Sequence, residues 1–330
     1  HSIAVNFHLV DDEDREYAIE VDPRTVSVET ISLLAGLGFN RISMGIQDFD
    51  EAVQVAINRK QSYESIVDLV QAVREFGFKS LNFDLIYGLP LQSVESMTET
   101  MDKVIALSPD RISVYNYAHL PDRFTSQRQI DRYSLPSANV KLLMAKLIQQ
   151  RLLEAGYCSI GMDHYAKPDD ELSQALNEGS LQRNFQGYAT TLSTETIAFG
   201  VSAISSHSDS YRQNVRELER YQGLLDKGRL PIGRHLILSK EDKLRRFIIT
   251  TLACQLCLDF AMVKQQCDVD FMSHFQAELA HLKSMEQEGL LILSNTAITL
   301  TTLGRQLIRN ICQVFDQYHS AEASRHSQAI

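Results

Sequence analysis

The chain has 330 residues, of which 44% are hydrophobic and 22% are charged, a composition typical of folded globular proteins. Its formal net charge of −10 disfavours nucleic-acid binding, because non-specific affinity for phosphate backbones comes mainly from basic residues. No stretch approaches the roughly 18 consecutive apolar residues of a membrane span, and the first residues lack the basic and apolar regions of a signal peptide. We therefore expect a cytoplasmic protein that binds neither nucleic acid nor membrane.

Strands and helices alternate in the first half of the chain. Four β-rich runs cover residues 15–23, 39–49, 79–90 and 109–121, and helical patterns follow them at 27–38, 62–77, 93–109 and 136–156. In the second helix, Ser62 is placed to cap the N-terminus, and Gly77 can take the left-handed conformation that ends many helices. The alternation predicts an α/β fold with a parallel sheet covered by helices, either doubly wound or curled toward a barrel.

Each predicted strand is apolar early and turns polar toward its C-terminal end. The polar residues are Glu20 and Asp22, Gln47 and Asp48, Asp84, and Asn116 with His119. The carboxyl ends of parallel strands meet at one edge of a barrel, where ligands bind. Asp84 lies between Phe83 and Leu85, and an unpaired buried charge is costly, so we expect a ligand or a polar neighbour to satisfy it. A structural carboxylate, paired with a nearby arginine or a helix N-terminus, is the alternative.

The five cysteines are scattered from residue 158 onward. They are Cys158, Cys254, Cys257, Cys267 and Cys312, too few and too dispersed for a disulfide framework. Cys254 and Cys257 have the spacing of a zinc or redox motif, but in "RFIITTLACQLCLDF" they would share one buried helix face. Since no second pair of this kind supplies the remaining ligands, we expect reduced thiols and no zinc site.

Seven motifs, taken in order, resemble one known family. They are "IEVDPR", "RISMGIQDF", "NFDLIYGLP", "VYNYAHLP", "GMDHYAKPDDEL", "RNFQGYAT" and "GVSAIS". From about residue 15 to residue 318, the chain resembles the oxygen-independent coproporphyrinogen III oxidases, which are radical S-adenosylmethionine (SAM) enzymes of haem synthesis. The motif "RNFQGY" distinguishes this branch from the related haem-chaperone branch.

The resemblance implies a partial (β/α)6 barrel of the TIM-like radical SAM type, followed by a mainly α C-terminal domain with a winged-helix-like module. The four predicted strands would be the last four of the six. The implied domains are a barrel part at 1–165, a connecting segment with the RNFQGY motif at 166–207, and a helical domain at 208–330. Within the last domain we expect an amphipathic helix over 208–231, a helix over 270–288, and a hairpin followed by a helix capped by Thr301 or Thr302.

The cofactors implied by the resemblance are two SAM molecules, one of which chelates a 4Fe-4S cluster. Residue by residue, the SAM-contact positions of the family fall on Glu20, Gln47, Arg59, Asp84, Ala118 and Ile204. These residue types suit a nucleoside with an amino-acid tail. Carboxylates accept hydrogen bonds from ribose hydroxyls, a guanidinium pairs with a carboxylate, and an amide both donates and accepts. Ala118 would offer backbone groups, and Ile204 an apolar wall for a base.

The activity implied by the resemblance is oxidative decarboxylation of two propionates of coproporphyrinogen III to vinyl groups, which gives protoporphyrinogen IX in anaerobic haem biosynthesis. The enzyme would be a monomer and would use an electron donor such as a flavodoxin or ferredoxin. An acidic chain must place basic residues locally to meet several propionates. Arg183 is the candidate, with Gln186 and Tyr188 as polar neighbours.

The chain departs from the family in one respect. The family holds its cluster with three cysteines spaced C-x3-C-x2-C after the first strand, and neither this motif nor the glycine-rich SAM loop is present here. Thiolate ligation of iron is indispensable to such a site, so the chain alone is expected neither to bind the cluster nor to turn over. An opening that reads as the tail of a helix, without Met, favours a truncated enzyme over a true cluster-less relative. A catalytically dead haem- or porphyrin-binding scaffold is the alternative of a different class, and another radical SAM tetrapyrrole protein is the enzyme alternative.

Overall fold

A mixed sheet organises the N-terminal half of the chain, in a computed structural model that describes residues 2–7, 9, 15–190 and 195–319. Its strands are β1 (Ala18–Val21), β2 (Arg41–Gln47), β3 (Ser80–Tyr87), β4 (Arg111–Asn116), β5 (Cys158–Ser159) and β6 (His164–Ala166). The order is β1-β2-β3-β4-β6-β5; the first three pairings are parallel and the last two are antiparallel. Each predicted strand run contains one of the four parallel strands, whereas the two antiparallel strands were not predicted.

Helix α1 (Ser2–Asn6) precedes the sheet, and α2 (Val28–Gly36), α3 (Glu51–Ala56), α4 (Tyr63–Glu75) and α5 (Val94–Leu107) connect the parallel strands. Helix α6 (Ala138–Glu154) follows β4, and α2, α4, α5 and α6 pack on one face of the sheet. The start of α4 is capped as predicted, because Ser62 Oγ accepts a hydrogen bond from Ser65 N at 3.0 Å. Gly77 ends the helix with φ of +74°, a conformation that glycine adopts without steric cost.

The two faces of the sheet differ in chemistry along the whole length of the strands. The apolar face carries Ile42, Met44 and Ile46 of β2, Leu81, Phe83 and Leu85 of β3, and Ile112 and Val114 of β4, all buried in one core with the helices. The opposite face carries Arg41, Ser43 and Gln47, then Ser80, Asn82 and Asp84, then Arg111, Ser113 and Tyr115. The prediction that the strands turn polar only toward their C-terminal ends was therefore wrong. Side chains alternate between faces with a period of two, and polar residues occupy every second position.

A middle segment of short elements follows the sheet. It contains α7 (Glu171–Glu178), β7 (Gln182–Arg183), β8 (Tyr188–Ala189), β9 (Ile204–Ser206), β10 (Ser210–Asn214), α8 (Leu218–Leu225) and β11 (Ile232–Ile237). The predicted helix over 208–231 was wrong over its first part, because β10 pairs with β9 on one side and with β11 on the other. The boundary predicted between 207 and 208 falls between these paired strands, and the one between 165 and 166 falls inside β6.

The C-terminal part builds a second core of helices around a small sheet. Its elements are α9 (Lys240–Gln255), β12 (Cys257–Asp259), α10 (Phe260–Cys267), α11 (Phe271–His274), α12 (Gln276–Gln287), β13 (Leu291–Leu293), β14 (Ala297–Leu300), α13 (Thr302–Gln306) and α14 (Ile308–Gln313). The strand order is β12-β14-β13, and Thr301 Oγ1 caps α13 by accepting a hydrogen bond from Gly304 N at 3.0 Å, as predicted.

The two cysteines of the CQLC motif do not share a helix face, which corrects the expectation from their spacing. Helix α9 ends at Gln255, and Leu256 takes a φ of +59° before the chain enters β12. Cys254 is buried in the helix, whereas Cys257 lies in the strand with its Sγ 3.5 Å from Thr299 Oγ1. All five cysteines are free thiols. Among the described helices, none combines the length and apolarity that crossing a membrane requires.

The two parts of the chain contact each other through Tyr188 and through α14. The Tyr188 hydroxyl donates to Ala253 O at 2.9 Å and accepts from Met162 N at 2.8 Å. Arg309 of α14 pairs with Asp163, next to β6. These contacts join the large sheet to the C-terminal core.

Candidate functional site

A cavity of about 740 Å³ lies against the polar face of the large sheet. Its walls include strands β1 to β4, the start of β6, and the turn between β7 and β8. Three of the predicted cofactor residues, Glu20, Gln47 and Asp84, line it together, and so do Gln186 and Tyr188. Ligand pockets commonly enclose ~300–1,000 Å³, so a nucleoside or a larger cofactor fits by volume.

Asp84 is held by a network of polar side chains from three neighbouring strands. Its carboxylate accepts hydrogen bonds from Ser43 Oγ at 2.6 Å and from Asn82 Nδ2 at 2.9 Å. Asn82 Nδ2 also donates to Ser43 Oγ at 2.8 Å, and Asn82 Oδ1 accepts from Ser113 Oγ at 3.2 Å. A carboxylate offers about four acceptor positions, so Asp84 keeps capacity for donors inside the cavity. The polar neighbours predicted for this carboxylate are present.

Gln47 and Arg59 approach each other over Gly45. A Cβ atom built on Gly45 would lie 2.8 Å from Gln47 Nε2 and 3.2 Å from Arg59 Nη2, so a side chain there would displace one of them. Arg59 Nη2 donates to Gly45 O at 3.0 Å and lies 3.3 Å from Asp22 Oδ1. Burial lowers the pKa of Arg59, and the Asp22 carboxylate opposes this shift. Arg59 therefore stands beside Gln47, although it is not itself part of the cavity wall.

Two other predicted cofactor residues lie outside the cavity wall. Ala118 follows β4, and its carbonyl oxygen accepts a hydrogen bond from Gln127 Nε2 at 3.1 Å. Ile204 begins β9 and pairs with Gln213 of β10. The structure thus brings Glu20, Gln47 and Asp84 together, whereas Ala118 lies in the loop after β4 and Ile204 in β9.

Arg183, the residue predicted to meet propionates, is the first residue of the RNFQGY motif and ends β7. Its guanidinium carbon is 4.8 Å from the ring centre of Tyr188, a cation–π contact that orients both side chains. Its Nη1 is buried and has no hydrogen-bond partner within 15–190 or 195–319. Gln186, on the same turn, lines the cavity directly.

Ion pairs close the end of the cavity where the strands begin. Arg111 Nε donates to both oxygens of Asp170, at 2.9 and 3.0 Å. Arg41 pairs with Glu171, and its Nη2 also lies 3.6 Å from Glu16 Oε1. These ion pairs were not predicted from the sequence. The acidic run "PDDEL" and the arginines at the starts of β2 and β4 were the signal that could have indicated them.

His164 occupies the wall between two aromatic rings. Its ring centre is 6.0 Å from that of Tyr115 and 5.1 Å from that of Tyr188, both edge to face. Nδ1 lies 2.6 Å from Met162 O, which fixes that nitrogen as the donor and leaves Nε2 toward the turn at Gly187. Burial lowers the pKa of His164, and the contact with Met162 only partly offsets this. The side chain is therefore held in its neutral form.

This burial predicts a pH dependence of stability that belongs to His164. In the unfolded chain the imidazole titrates near pH 6.5, and in the folded chain at a lower pH. The contribution of neutral His164 to the free energy of unfolding is fully present above the pKa of the unfolded state. It is lost as the pH falls through the pKa of the folded state, because the unfolded chain binds the proton first. His164→Phe should lose less unfolding free energy than the wild type between pH 7.5 and pH 5.5, measured by urea denaturation.

The matched control for this prediction is His281, an exposed histidine of α12. His281→Gln should follow the wild-type pH profile. Parallel profiles for His164→Phe and the wild type would show that the burial of His164 does not govern this pH response.

Several polar residues predicted to share the mouth do not line the cavity: Asp22, Asp48, Asn116 and His119. Asp48 is fully buried and accepts hydrogen bonds from Asp50 N at 2.7 Å, Thr100 Oγ1 at 2.7 Å and Gln92 Nε2. Burial raises the pKa of Asp48, and these hydrogen bonds oppose the rise. The carboxylate thus ties β2 to the loop after β3 and to α5, directly behind Gln47.

Within the part of the chain that the structure describes, no group of three or more His, Cys, Asp or Glu side chains could hold a metal ion. The free cysteines lie on separate elements, and the sequence contains no C-x3-C-x2-C motif. These residues therefore do not fit an iron–sulfur cluster, which needs a set of convergent thiolates.

The sheet, its polar cavity and the comparison with family models define the class of protein. Residues 3–104 match the model of the radical SAM superfamily, and residues 238–307 match that of the HemN C-terminal domain. The α/β fold with its mixed sheet is that of a radical SAM protein.

Individual relatives narrow this class to one family. The chain is 45% identical over 329 residues to the oxygen-independent coproporphyrinogen III oxidase of Pseudomonas aeruginosa, covering 99% of this chain and 72% of that protein. It is 46% identical over 313 residues to the protein of the same name from Salmonella typhimurium, covering 95% and 68%. The solved structure of coproporphyrinogen III oxidase, HemN, from Escherichia coli matches with a TM-score of 0.90 at 45% identity, covering 93% of this chain and 71% of that one. The chain belongs to the oxygen-independent coproporphyrinogen III oxidases, a family of radical SAM oxidoreductases.

Proposed function

We propose that this protein acts in the oxidative decarboxylation of two propionates of coproporphyrinogen III, giving the vinyl groups of protoporphyrinogen IX in anaerobic haem biosynthesis. The observation that carries the proposal is the convergence of Glu20, Gln47 and Asp84 on one cavity of about 740 Å³. Acidic and amide groups on three parallel strands match the hydroxyl and amine donors of a nucleoside. Identity to the Pseudomonas oxidase over 99% of the chain supports the same assignment.

In this proposal the cavity binds SAM, and each residue has a role that its chemistry allows. Glu20 and Asp84 accept hydrogen bonds from the ribose, and Gln47 donates to or accepts from the amino-acid tail. Arg59, whose Nε is buried without a hydrogen-bond partner in the described ranges, pairs with the carboxylate of the tail. Ala118 and Ile204 contribute backbone groups and an apolar contact from the adjoining loop and strand. When bound, SAM is the source of the hydrogen-abstracting species, and the protein orients it and excludes water.

We also propose that the protein binds a second SAM molecule. The sheet is proposed to form a partial barrel, and the C-terminal part a winged-helix-like module. The three-stranded sheet β12-β14-β13 with α12 and α13 around it supports the winged-helix comparison. Arg183 and Gln186 are proposed to face the substrate, since one holds a buried guanidinium nitrogen without a partner and the other lines the cavity. A flavodoxin-like or ferredoxin-like electron donor, a monomeric state and a cytoplasmic location remain predictions from the sequence.

The proposed roles concern binding and orientation, because the residues of this chain supply no thiolate set for a cluster. The absence of a C-x3-C-x2-C motif from the sequence favours, as a second candidate, a catalytically inactive haem- or porphyrin-binding scaffold. The two candidates differ in the nucleoside: an oxidase binds SAM in this cavity, whereas a scaffold has no need of it.

SAM binding tests the proposal directly. Isothermal titration calorimetry of the purified chain should detect SAM binding, and Asp84→Ala and Glu20→Ala should each weaken it about 10- to 100-fold. This range corresponds to the loss of one hydrogen bond to a charged group. Asp68→Ala, on the exposed face of α4, is the matched control and should bind as the wild type does.

Two outcomes would contradict the assignment. Failure of the wild type to bind SAM would remove the binding role proposed for this cavity. Unchanged affinity in both cavity variants, with folding confirmed by circular dichroism, would remove SAM from this cavity.

A further inference from the structure

Lys141 lies at the edge of the sheet where β3 and β4 end. It belongs to the first turn of α6, and its side chain runs across Gly88, the residue that follows β3. A Cβ atom built on Gly88 would lie 2.9 Å from Lys141 Cε and 3.2 Å from Cδ, so the lysine stem is packed directly on this backbone. The ammonium then lies 3.4 Å from Tyr117 O, just beyond β4.

The ammonium of Lys141 is half buried and has no carboxylate beside it. Burial lowers the pKa of Lys141, and no charged group contributes to that shift. Among the described residues, no Asp or Glu forms an ion pair with it, and its hydrogen bond to Tyr117 O is long. By contrast, Arg41 and Arg111, which line the cavity where the strands begin, are both paired with carboxylates. A partly desolvated cation without a counter-charge is costly unless a ligand supplies the anion.

We infer that the Lys141 ammonium binds a propionate carboxylate of the tetrapyrrole substrate beyond the ends of β3 and β4, outside the cavity wall. This inference rests on the proposed function. Gly88 lies four residues beyond Asp84 and directly after β3, so Lys141 stands ~13 Å further toward the strand ends. The carboxylate of SAM is assigned to Arg59 near Gly45, which leaves the Lys141 position for a second, larger anionic ligand. In this inference Lys141 joins Arg183 as a basic residue that meets the propionates.

Fluorescence titration with coproporphyrin III, the oxidised form of the substrate with all four propionates, tests the inference on the purified chain. Lys141→Met should bind this probe about 10-fold or more weakly, since a charge-assisted contact is lost. Lys141→Arg, which keeps the charge, should restore most of the affinity. Lys146→Met is the matched control on the same helix, where the lysine is exposed, and should bind as the wild type does.

A parallel titration with SAM separates the two anions. SAM affinity should be the same in Lys141→Met and the wild type, with equal thermal unfolding midpoints as the folding control. Equal coproporphyrin affinity in Lys141→Met and the wild type would overturn the Lys141 assignment and leave the proposed function standing. A loss of SAM affinity instead would reassign Lys141 to the cofactor. Absence of coproporphyrin binding by the wild type would count against the proposed function itself, and the inference would fall with it.

Discussion

Gly304→Ala is expected to destabilise the C-terminal part of the protein by roughly 3 kcal/mol or more, because the added methyl group has no space. Gly304 is buried in α13, and a Cβ atom there would lie 1.8 Å from the carbonyl oxygen of Leu290 and 2.8 Å from its carbonyl carbon. Both are backbone atoms, so no rotamer change relieves the clash. The helix would have to move away from β13, which opens the core against Ile311.

Chemical denaturation followed by circular dichroism measures this effect. Gly36→Ala is the matched control, because Gly36 ends α2 with no atom within 4 Å of a built Cβ and with an ordinary φ. It should be neutral or stabilising by about 0.4–1 kcal/mol through the lower entropy of the unfolded chain. Equal stability of the two variants would mean that the packing of α13 on Leu290 is not a constraint on the fold.

Asp48→Ala is the second substitution with a large expected effect, at about 3–5 kcal/mol of unfolding free energy. Asp48 is fully buried, and its removal takes this acceptor from Asp50 N, Thr100 Oγ1 and Gln92 Nε2, of which Gln92 Nε2 keeps Ile86 O. Each unsatisfied buried donor costs ~1–3 kcal/mol, although relaxation of the side chains offsets part of the sum. Gln47 precedes Asp48 with a φ of +66°, so the conformation that directs Gln47 into the cavity depends on this anchor.

Two measurements distinguish this anchoring role from a general loss of stability. Urea denaturation gives the unfolding free energy, for which the exposed Asp68→Ala should stay within ~0.5 kcal/mol of the wild type. Titration of SAM under conditions where both proteins are folded should show weaker binding by Asp48→Ala. If Asp48→Ala keeps the stability and the SAM affinity of the wild type, the three hydrogen bonds to Asp48 do not stabilise the fold or position Gln47.

Local sequence signals predicted the parallel part of the fold well. Ser62 caps α4 and Gly77 follows it in the left-handed region, as their residue types indicated. Such features depend on contacts within one turn of the chain, which sequence spacing specifies completely. The strands β1 to β4 were predicted because β-rich runs alternate with helical patterns along the chain, although the alternation of faces within each strand was not predicted.

Predictions failed where non-local contacts decided the outcome. The segment after residue 208 has helical spacing, yet Ser210–Asn214 becomes the central strand of a sheet because two partners are available on either side. Cys254 and Cys257 were placed on one helix face, but the chain turns at Leu256 to let β12 pair with β14. Backbone pairing across distant segments outweighs local periodicity when it satisfies more buried polar groups.

Some features of the candidate site were likewise predicted from the sequence, and others depend on non-local contacts. The sequence by itself determined the residue types, the family and the gathering of Glu20, Gln47 and Asp84 at neighbouring strands, because strand order and residue identity are written in the chain. Only the tertiary structure decided that Asp48 faces the core while Gln47 faces the cavity, and that Lys141 reaches over Gly88 without a carboxylate. The physical reason is that burial and charge neutralisation depend on contacts between side chains that are far apart in the sequence. The spacing of residues along the chain does not specify these contacts.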